Sequence, residues 1–194
     1  MPSQAITYLT PEEYLAIERK AEYKSEYIDG EMIAMTGATR IHNLITANII
    51  GELRQQLKEA QCEVYSNDMR VRIPATGLYT YPDAIVVCGE PKLEDNFFDT
   101  LLNPTLIVEV LSSSTESHDR GQKFSDYRTV ESLAEYLLVA QEEYRVEQYV
   151  KQADNRWLLT DIRSIEGTVE LVSAPCALAL NEIYHKVSLS SPRA

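Results

Sequence analysis

Apolar residues in this chain recur either at helical spacing or at every second position, and the two periods predict its elements. Thr10, Pro11 and Glu13 form an N-capping signal for a helix that runs to about residue 21. A second helix is predicted over residues 41–60. Its apolar stripe repeats at four-residue spacing, at Ile41, Ile45, Ile49, Leu53 and Leu57. Both helices therefore precede most of the predicted strands.

The remaining apolar segments predict strands. An Asp29-Gly30 turn is typical of a hairpin, which joins residues 26–28 to residues 31–35. Further strands are predicted at 62–65, 69–73, 81–87, 104–111 and 135–139, with a polar loop at 89–103. A helix is predicted at 119–130, where Asp119 and Gln122 form a capping pair. An antiparallel meander follows at 144–151, 156–162, 168–172 and 177–184, and a loose tail at 188–194. This order indicates an α/β (α+β) fold with a mixed central sheet between helices.

Composition adds limits on function. The chain has 194 residues and 44% hydrophobic content, which suits one domain over residues 1–194. The net charge of −12 argues against a large basic nucleic-acid footprint, but it does not exclude an enzyme that meets nucleic acid through metal ions and a local basic patch. No apolar run reaches the length of a membrane span, and residues 1–20 lack the pattern of a signal peptide.

The chain has three cysteines, at positions 62, 88 and 176, which lie far apart and fit no zinc spacing. Each stands in an apolar, strand-like context, so we expect each to be a small core residue. A reducing cytoplasm is the compartment consistent with that use of cysteine.

The most informative residues are two acids on apolar strands and a lysine on the helix that follows. Asp83 opens the strand of residues 81–87, Glu109 stands inside the strand of residues 104–111, and Lys123 lies beyond it. An ionised acid among apolar side chains is costly unless something compensates it. A divalent metal ion is one such partner, because Mg²⁺ prefers carboxylate oxygens.

These residues resemble the active-site signature of the restriction-endonuclease-like, PD-(D/E)XK nucleases, and the wider set is similar to the Uma2 family of endonucleases (DUF820). The matching stretches, spread over about residues 8–187, are Asp29-Gly30-Glu31, His42, Asp68-Met69-Arg70-Val71-Arg72-Ile73, Tyr81-Pro82-Asp83, Val108-Glu109-Val110-Leu111-Ser112, Asp119-Arg120-Gly121-Gln122-Lys123 and Glu135-Tyr136. The resemblance implies a nuclease-like core over about residues 26–140 and a β-rich extension over about 144–187. One departure is that Leu111 stands where the usual signature has lysine, so the lysine role passes to Lys123.

The resemblance also implies roles for the residues. Asp83, Glu109 and the Val110 carbonyl would hold Mg²⁺ or Mn²⁺, and Asp83, Glu109 and Lys123 would be the catalytic residues. Further candidates are helpers or residues lining the site, namely Glu31, His42, Asp68, Gln122 and Tyr127. The function implied is a metal-dependent endonuclease that hydrolyses phosphodiester bonds in DNA, as a homodimer in the cytoplasm without a membrane partner.

Other interpretations of the same residues remain open. Asp83 could be a strand-end residue, His42 a helix-start residue and Asp68 a turn cap. Glu109 could form a structural salt bridge with Lys123 or Arg120 that has no part in catalysis. The alternative function is therefore a non-catalytic, homodimeric binding or scaffold protein of the same fold.

Overall fold

The computed structural model describes residues 8–112 and 115–189. The predicted tail therefore lies outside the described residues from position 190 onward. The helices are α1 (Pro11–Glu18), α2 (Arg40–Gln56), α3 (Glu116–His118), α4 (Phe124–Tyr127) and α5 (Leu180–Ile183), with a π-helical turn at Asp119–Lys123 between α3 and α4. The strands are β1 (Ser25–Ile28), β2 (Glu31–Ala34), β3 (Cys62–Ser66), β4 (Arg70–Ile73), β5 (Leu78–Thr80), β6 (Ala84–Cys88), β7 (Thr100–Leu101), β8 (Leu106–Leu111), β9 (Glu135–Ala140), β10 (Val146–Lys151), β11 (Trp157–Ile162), β12 (Thr168–Glu170) and β13 (Ala177–Ala179).

The two N-terminal helices form for the reasons that the sequence indicates. The Thr10 hydroxyl accepts a hydrogen bond from the Glu13 amide, and the Glu13 carboxylate accepts one from the Thr10 amide, which completes the predicted capping box of α1. In α2, Ile45, Ile49 and Leu53 are buried along one face. The Asp29-Gly30 turn between β1 and β2 has positive φ at both residues, as the predicted hairpin requires.

A mixed six-stranded sheet forms the centre of the molecule, in the order β11-β10-β9-β8-β6-β3. Strands β8 and β9 run parallel, and the other neighbouring pairs are antiparallel. Strand β8 is buried over its whole length because apolar layers cover both faces of the sheet. This is the mixed sheet flanked by helices that the sequence predicts.

Alternate residues of the central strands point into two different cores. Val86, Leu106 and Val108 face α2 and the C-terminal elements, whereas Ile85 and Ile107 face α4 and a second sheet. That second, five-stranded sheet has the order β2-β1-β5-β4-β7. By alternation, Asp83 and Glu109 point toward the second sheet and α4, and this places the acids between the two sheets.

Several predicted elements differ from the observed ones. The predicted polar loop of residues 89–103 contains β7, which pairs in parallel with β4. The predicted helix of residues 119–130 begins instead with the π-helical turn, and Asp119 is buried there rather than capping. The last predicted strand becomes β13 followed by α5. In the meander, β10 and β11 extend the central sheet, while β12 and β13 form a separate pair.

The expectation that all three cysteines are separate core residues is wrong for two of them. Cys62 and Cys88 lie directly opposite each other on β3 and β6 and are joined in a disulfide. Cys176 is the buried free cysteine. The cysteines therefore no longer support a reducing compartment. In the described part of the chain, no helix combines the length and apolar character needed to cross a membrane.

We expect the disulfide to contribute measurably to stability, because it closes a loop between positions 26 residues apart in sequence. Breaking it should cost about 3.5 kcal/mol on a chain-entropy basis. Urea unfolding with and without a phosphine reductant measures this cost. A Cys62→Ser/Cys88→Ser variant should match the reduced wild type, and a Cys176→Ala variant should keep the full response to reductant. Three reactive thiols in denatured, non-reduced wild type would contradict the disulfide.

Candidate active site

The two predicted acids meet because of strand register. Ala84 pairs with Val108 across β6 and β8. One further step in this antiparallel register places Asp83 opposite Glu109, and directly opposite residues project to the same face of a sheet. The paired residues of β6 end at Ala84, and beyond them the Asp83 Oδ2 atom accepts the Val110 amide at 2.8 Å. The Asp83 side chain therefore extends the hydrogen bonding between β6 and β8 past their last paired residues.

Lys123 completes the predicted trio. Its Nζ atom lies 2.9 Å from the Glu109 Oε1 atom, and its side chain is only 7% exposed. The π-helical turn that follows β8 carries this side chain back to the strand. The structure therefore brings together Asp83, Glu109 and Lys123, although Lys123 stands on a different element from the usual lysine.

Two more acids contact the same ammonium, and sequence reasoning missed both. The Glu26 Oε1 atom lies 3.1 Å from the Lys123 Nζ atom, and the Asp119 Oδ1 atom lies 3.5 Å from it. Glu26 comes from β1 in the second sheet, and Asp119 from the turn that carries Lys123. The spacing of Asp119 four residues before Lys123 was the available signal, because such a pair shares one side of a helix.

Glu109 is held in a strongly perturbed environment. Its Oε1 atom also accepts a hydrogen bond from the Tyr127 hydroxyl at 2.8 Å. Burial raises the pKa of Glu109 to about 8, with Asp119 and Asp83 adding to the increase and Lys123 opposing it. The pKa of Lys123 lies well above its usual value because Glu109, Glu26 and Asp119 outweigh the effect of burial. A carboxyl shifted in this way inside a cavity is typical of a functional site.

His42 contacts the other carboxylate of the trio. Its Nε2 atom lies 2.8 Å from the Asp83 Oδ1 atom. The Thr39 hydroxyl accepts the His42 amide and caps α2, so His42 stands in the first turn of that helix. Of the candidate helpers, His42 is the one in direct contact with Asp83, and both oxygens of Asp83 thus have named partners.

The acids face a cavity of about 730 Å³ between α2, β1, β8 and the turn at Asp119–Lys123. Four carboxylates line it, from Glu26, Asp83, Glu109 and Asp119. Its lysines are Lys24 and Lys123, and its histidines are His42 and His118. At neutral pH the cavity therefore carries an excess of negative charge, which favours a cation or a retained proton.

The other candidate helpers lie away from the cavity wall. Glu31 is exposed at the start of β2, and Asp68 pairs with Lys24 at 2.9 Å with most of its side chain in solvent. Gln122 donates to Asp126. Tyr127 contacts the site through its hydrogen bond to Glu109. Among the acids before the Asp83 strand, the structure therefore brings Glu26 to the site rather than Glu31 or Asp68.

The donors present suit a hard divalent cation. Asp83 and Glu109 supply carboxylates side by side, and Val110 lines the cavity next to them. No group of three or more His, Cys, Asp or Glu side chains among residues 8–112 and 115–189 is arranged to hold a metal by itself. Two carboxylates fit Mg²⁺, because this ion keeps several waters and takes further oxygens from a substrate phosphate. Asp83 and Glu109 are therefore the residues here that could hold such an ion.

Comparison with known proteins identifies the family of this chain. Residues 11–181 match the Uma2 family, described as "Putative restriction endonuclease". The chain belongs to the Uma2 family. It is 44% identical over 162 residues to the uncharacterised protein sll1609 of Synechocystis sp., covering 84% of this chain and 92% of that protein. It is 36% identical over 183 residues to slr1290 of the same organism, covering 94% and 95%.

A solved structure supports the fold of this Uma2 protein. The crystal structure of a protein from Anabaena variabilis, described as "a putative nuclease belonging to DUF820", matches with a TM-score of 0.74. The match covers 91% of this chain and 97% of that one at 17% identity, and therefore shows the fold alone. The predicted family and the restriction-endonuclease-like fold are confirmed.

The raised pKa of Glu109 predicts that the metal-free protein loses stability as the pH rises. The carboxyl has a pKa of 4.5 when unperturbed and about 8 in the folded protein. Its contribution to stability is fully present below the lower value and is lost as the pH rises through the upper one, since the folded state binds the extra proton between them. Gln does not titrate, so the Glu109→Gln variant lacks this contribution to the pH dependence of stability. In EDTA, the melting temperature of wild type should therefore fall relative to that of Glu109→Gln between about pH 5 and pH 8. A difference that stays constant over this range would contradict the assigned pKa.

Proposed function

We propose that this protein is a metal-dependent endonuclease that hydrolyses phosphodiester bonds in DNA. The observation that carries the proposal is the placement of Asp83 opposite Glu109, with the Lys123 ammonium 2.9 Å from Glu109, in one open cavity. Membership of the Uma2 family supports a nuclease, and the chemistry below supports the finer assignment.

Asp83, Glu109 and the Val110 carbonyl would hold Mg²⁺ or Mn²⁺. The metal would supply Lewis acidity toward the phosphodiester and a nucleophile at neutral pH. Asp83 is oriented for this role by the His42 ring and the Val110 amide. Glu109 is oriented by the Tyr127 hydroxyl. Hydrogen-bond partners of this kind hold the metal-binding carboxylate oxygens in place before a metal ion binds.

Lys123 would stabilise negative charge that develops on the phosphate. A buried ammonium acts more strongly than one in water, because the local dielectric is low. Lys123 is nearly buried, yet it lines the cavity beside both metal-holding acids. In the metal-free protein it is paired with Glu109, so the same two residues would serve stability and catalysis.

The first test separates metal binding from chemistry. Isothermal titration of Mn²⁺ and a plasmid-nicking assay use the same samples of wild type, Asp83→Asn, Lys123→Met and, as a control, Glu31→Gln. We expect Asp83→Asn to lose both signals, and Lys123→Met to bind Mn²⁺ but nick at least about 100-fold more slowly. Glu31 is exposed, so its variant should behave as wild type. Folded wild type with neither signal would overturn the proposal and favour the non-catalytic scaffold.

A homodimer is part of the same proposal, since cutting both strands of a duplex requires two sites. Size-exclusion chromatography with light scattering should give twice the 22.0 kDa chain mass. A monomer at micromolar concentration, with or without DNA, would exclude this assembly. Thiol trapping of Cys62 and Cys88 in intact cells tests the compartment, because a cytoplasmic location predicts mostly reduced thiols.

A further inference from the structure

Lys123 depends on its neighbours for its position. A lysine carries its ammonium on a flexible four-carbon stem, so burial and pairing must fix it. The usual lysine of this signature shares the strand of the second acid, whereas Lys123 stands on the turn after β8. Its ammonium contacts Glu109, Glu26 and Asp119 at 2.9, 3.1 and 3.5 Å. Of these, Glu26 alone belongs to the second sheet.

Glu26 is itself held firmly. It stands on β1, which pairs with β2 on one side and with β5 on the other. Its Oε1 atom accepts a short hydrogen bond from the Thr80 hydroxyl on β5, and its side chain is 13% exposed. Burial opposes ionisation, but Lys123 and the Thr80 hydroxyl hold the pKa of Glu26 below its usual value. Glu26 is therefore a fixed negative charge beside the ammonium.

Burial along β1 alternates, and this alternation directs Glu26 toward the cavity. Ser25 and Tyr27 are buried on one face of the strand, and Tyr27 packs with Tyr14 of α1. Glu26 and Ile28 project to the other face and line the cavity. Thr80 lies three residues before Asp83, so the strand that anchors Glu26 leads directly into the metal-holding acid. The second sheet thus connects both halves of the site.

We propose that Glu26 is a positioning residue, which holds the Lys123 ammonium at the cavity where the substrate phosphate would bind. Its catalytic consequence rests on the proposed nuclease function, but its structural consequence does not. When Glu109 engages a cation, Glu26 would remain as a partner of Lys123 and keep the ammonium from turning away. Glu26 touches neither metal-holding acid in the described contacts, so its role is exerted through Lys123.

The test uses two glutamates of one hairpin. Glu26→Gln and the control Glu31→Gln each remove one negative charge, from β1 and β2 respectively. The first readout is the labelling rate of Lys123 by an N-hydroxysuccinimide ester, followed by mass spectrometry without metal or DNA. We expect Glu26→Gln to label Lys123 at least about tenfold faster than wild type, because the amine gains freedom, and Glu31→Gln to match wild type. Equal rates in wild type and Glu26→Gln would overturn the proposal.

The second readout is plasmid nicking under single-turnover conditions, with the Mn²⁺ affinity measured alongside. Glu26→Gln should lower the rate constant about tenfold or more and change the Mn²⁺ affinity much less than Asp83→Asn does. Wild-type nicking by Glu26→Gln would also overturn the proposal. If wild type does not nick at all, the nuclease function fails and the labelling result alone decides the role of Glu26. If Glu26→Gln does not fold, Glu26→Asp replaces it, since it keeps the charge but withdraws the carboxylate, and faster labelling is again expected.

Discussion

The contact between Lys123 and Glu109 inside the molecule is the interaction on which the site depends. Glu109 interrupts a strand whose every residue is buried, so its charge or its proton must be accommodated within the protein. One lysine cannot balance the carboxylates around it. Burial raises the pKa of Glu109, and the neighbouring Asp119 and Asp83 raise it further. Tyr127, which donates to the same oxygen, adds the hydrogen bond that a buried carboxyl needs.

Sequence reasoning identified the acids of the trio because their signal is local. Asp83 follows a proline at a strand start, and Glu109 stands among β-branched and aliphatic residues. Glu26 carries no such signal. Its place depends on β1 lying between β2 and β5, whereas Glu31 lies on β2, the edge strand of the second sheet. Choosing between Glu26 and Glu31 therefore requires knowing which strand of the hairpin pairs with β5. That pairing joins strands that are distant in sequence, so the local pattern does not reveal it.

Pairing between distant strands also explains other differences between the predicted and the observed structure. Period and capping chemistry suffice for α1, α2, β8 and β9, whose boundaries lie near the predicted ones. The disulfide between Cys62 and Cys88 requires β3 and β6 to be antiparallel neighbours, although β4 and β5 intervene in sequence and join another sheet. Likewise, β7 is two residues long and exists through its pairing with β4. Local pattern predicts elements well, and it does not predict long-range partners.

The excess of acid in the cavity bears on how an acidic protein could act on a polyanion. The chain carries a net charge of −12, and four carboxylates face two lysines in the cavity. Without further cations this arrangement repels a phosphodiester. Under the proposed function, a divalent cation would offset that repulsion where the phosphate must approach, so the metal would govern substrate affinity as well as chemistry. In the positioning role proposed for it, Glu26 would hold Lys123 in place without occupying the oxygens of Asp83 or Glu109. A charge that would otherwise oppose DNA binding would therefore hold the buried Lys123 ammonium at the site.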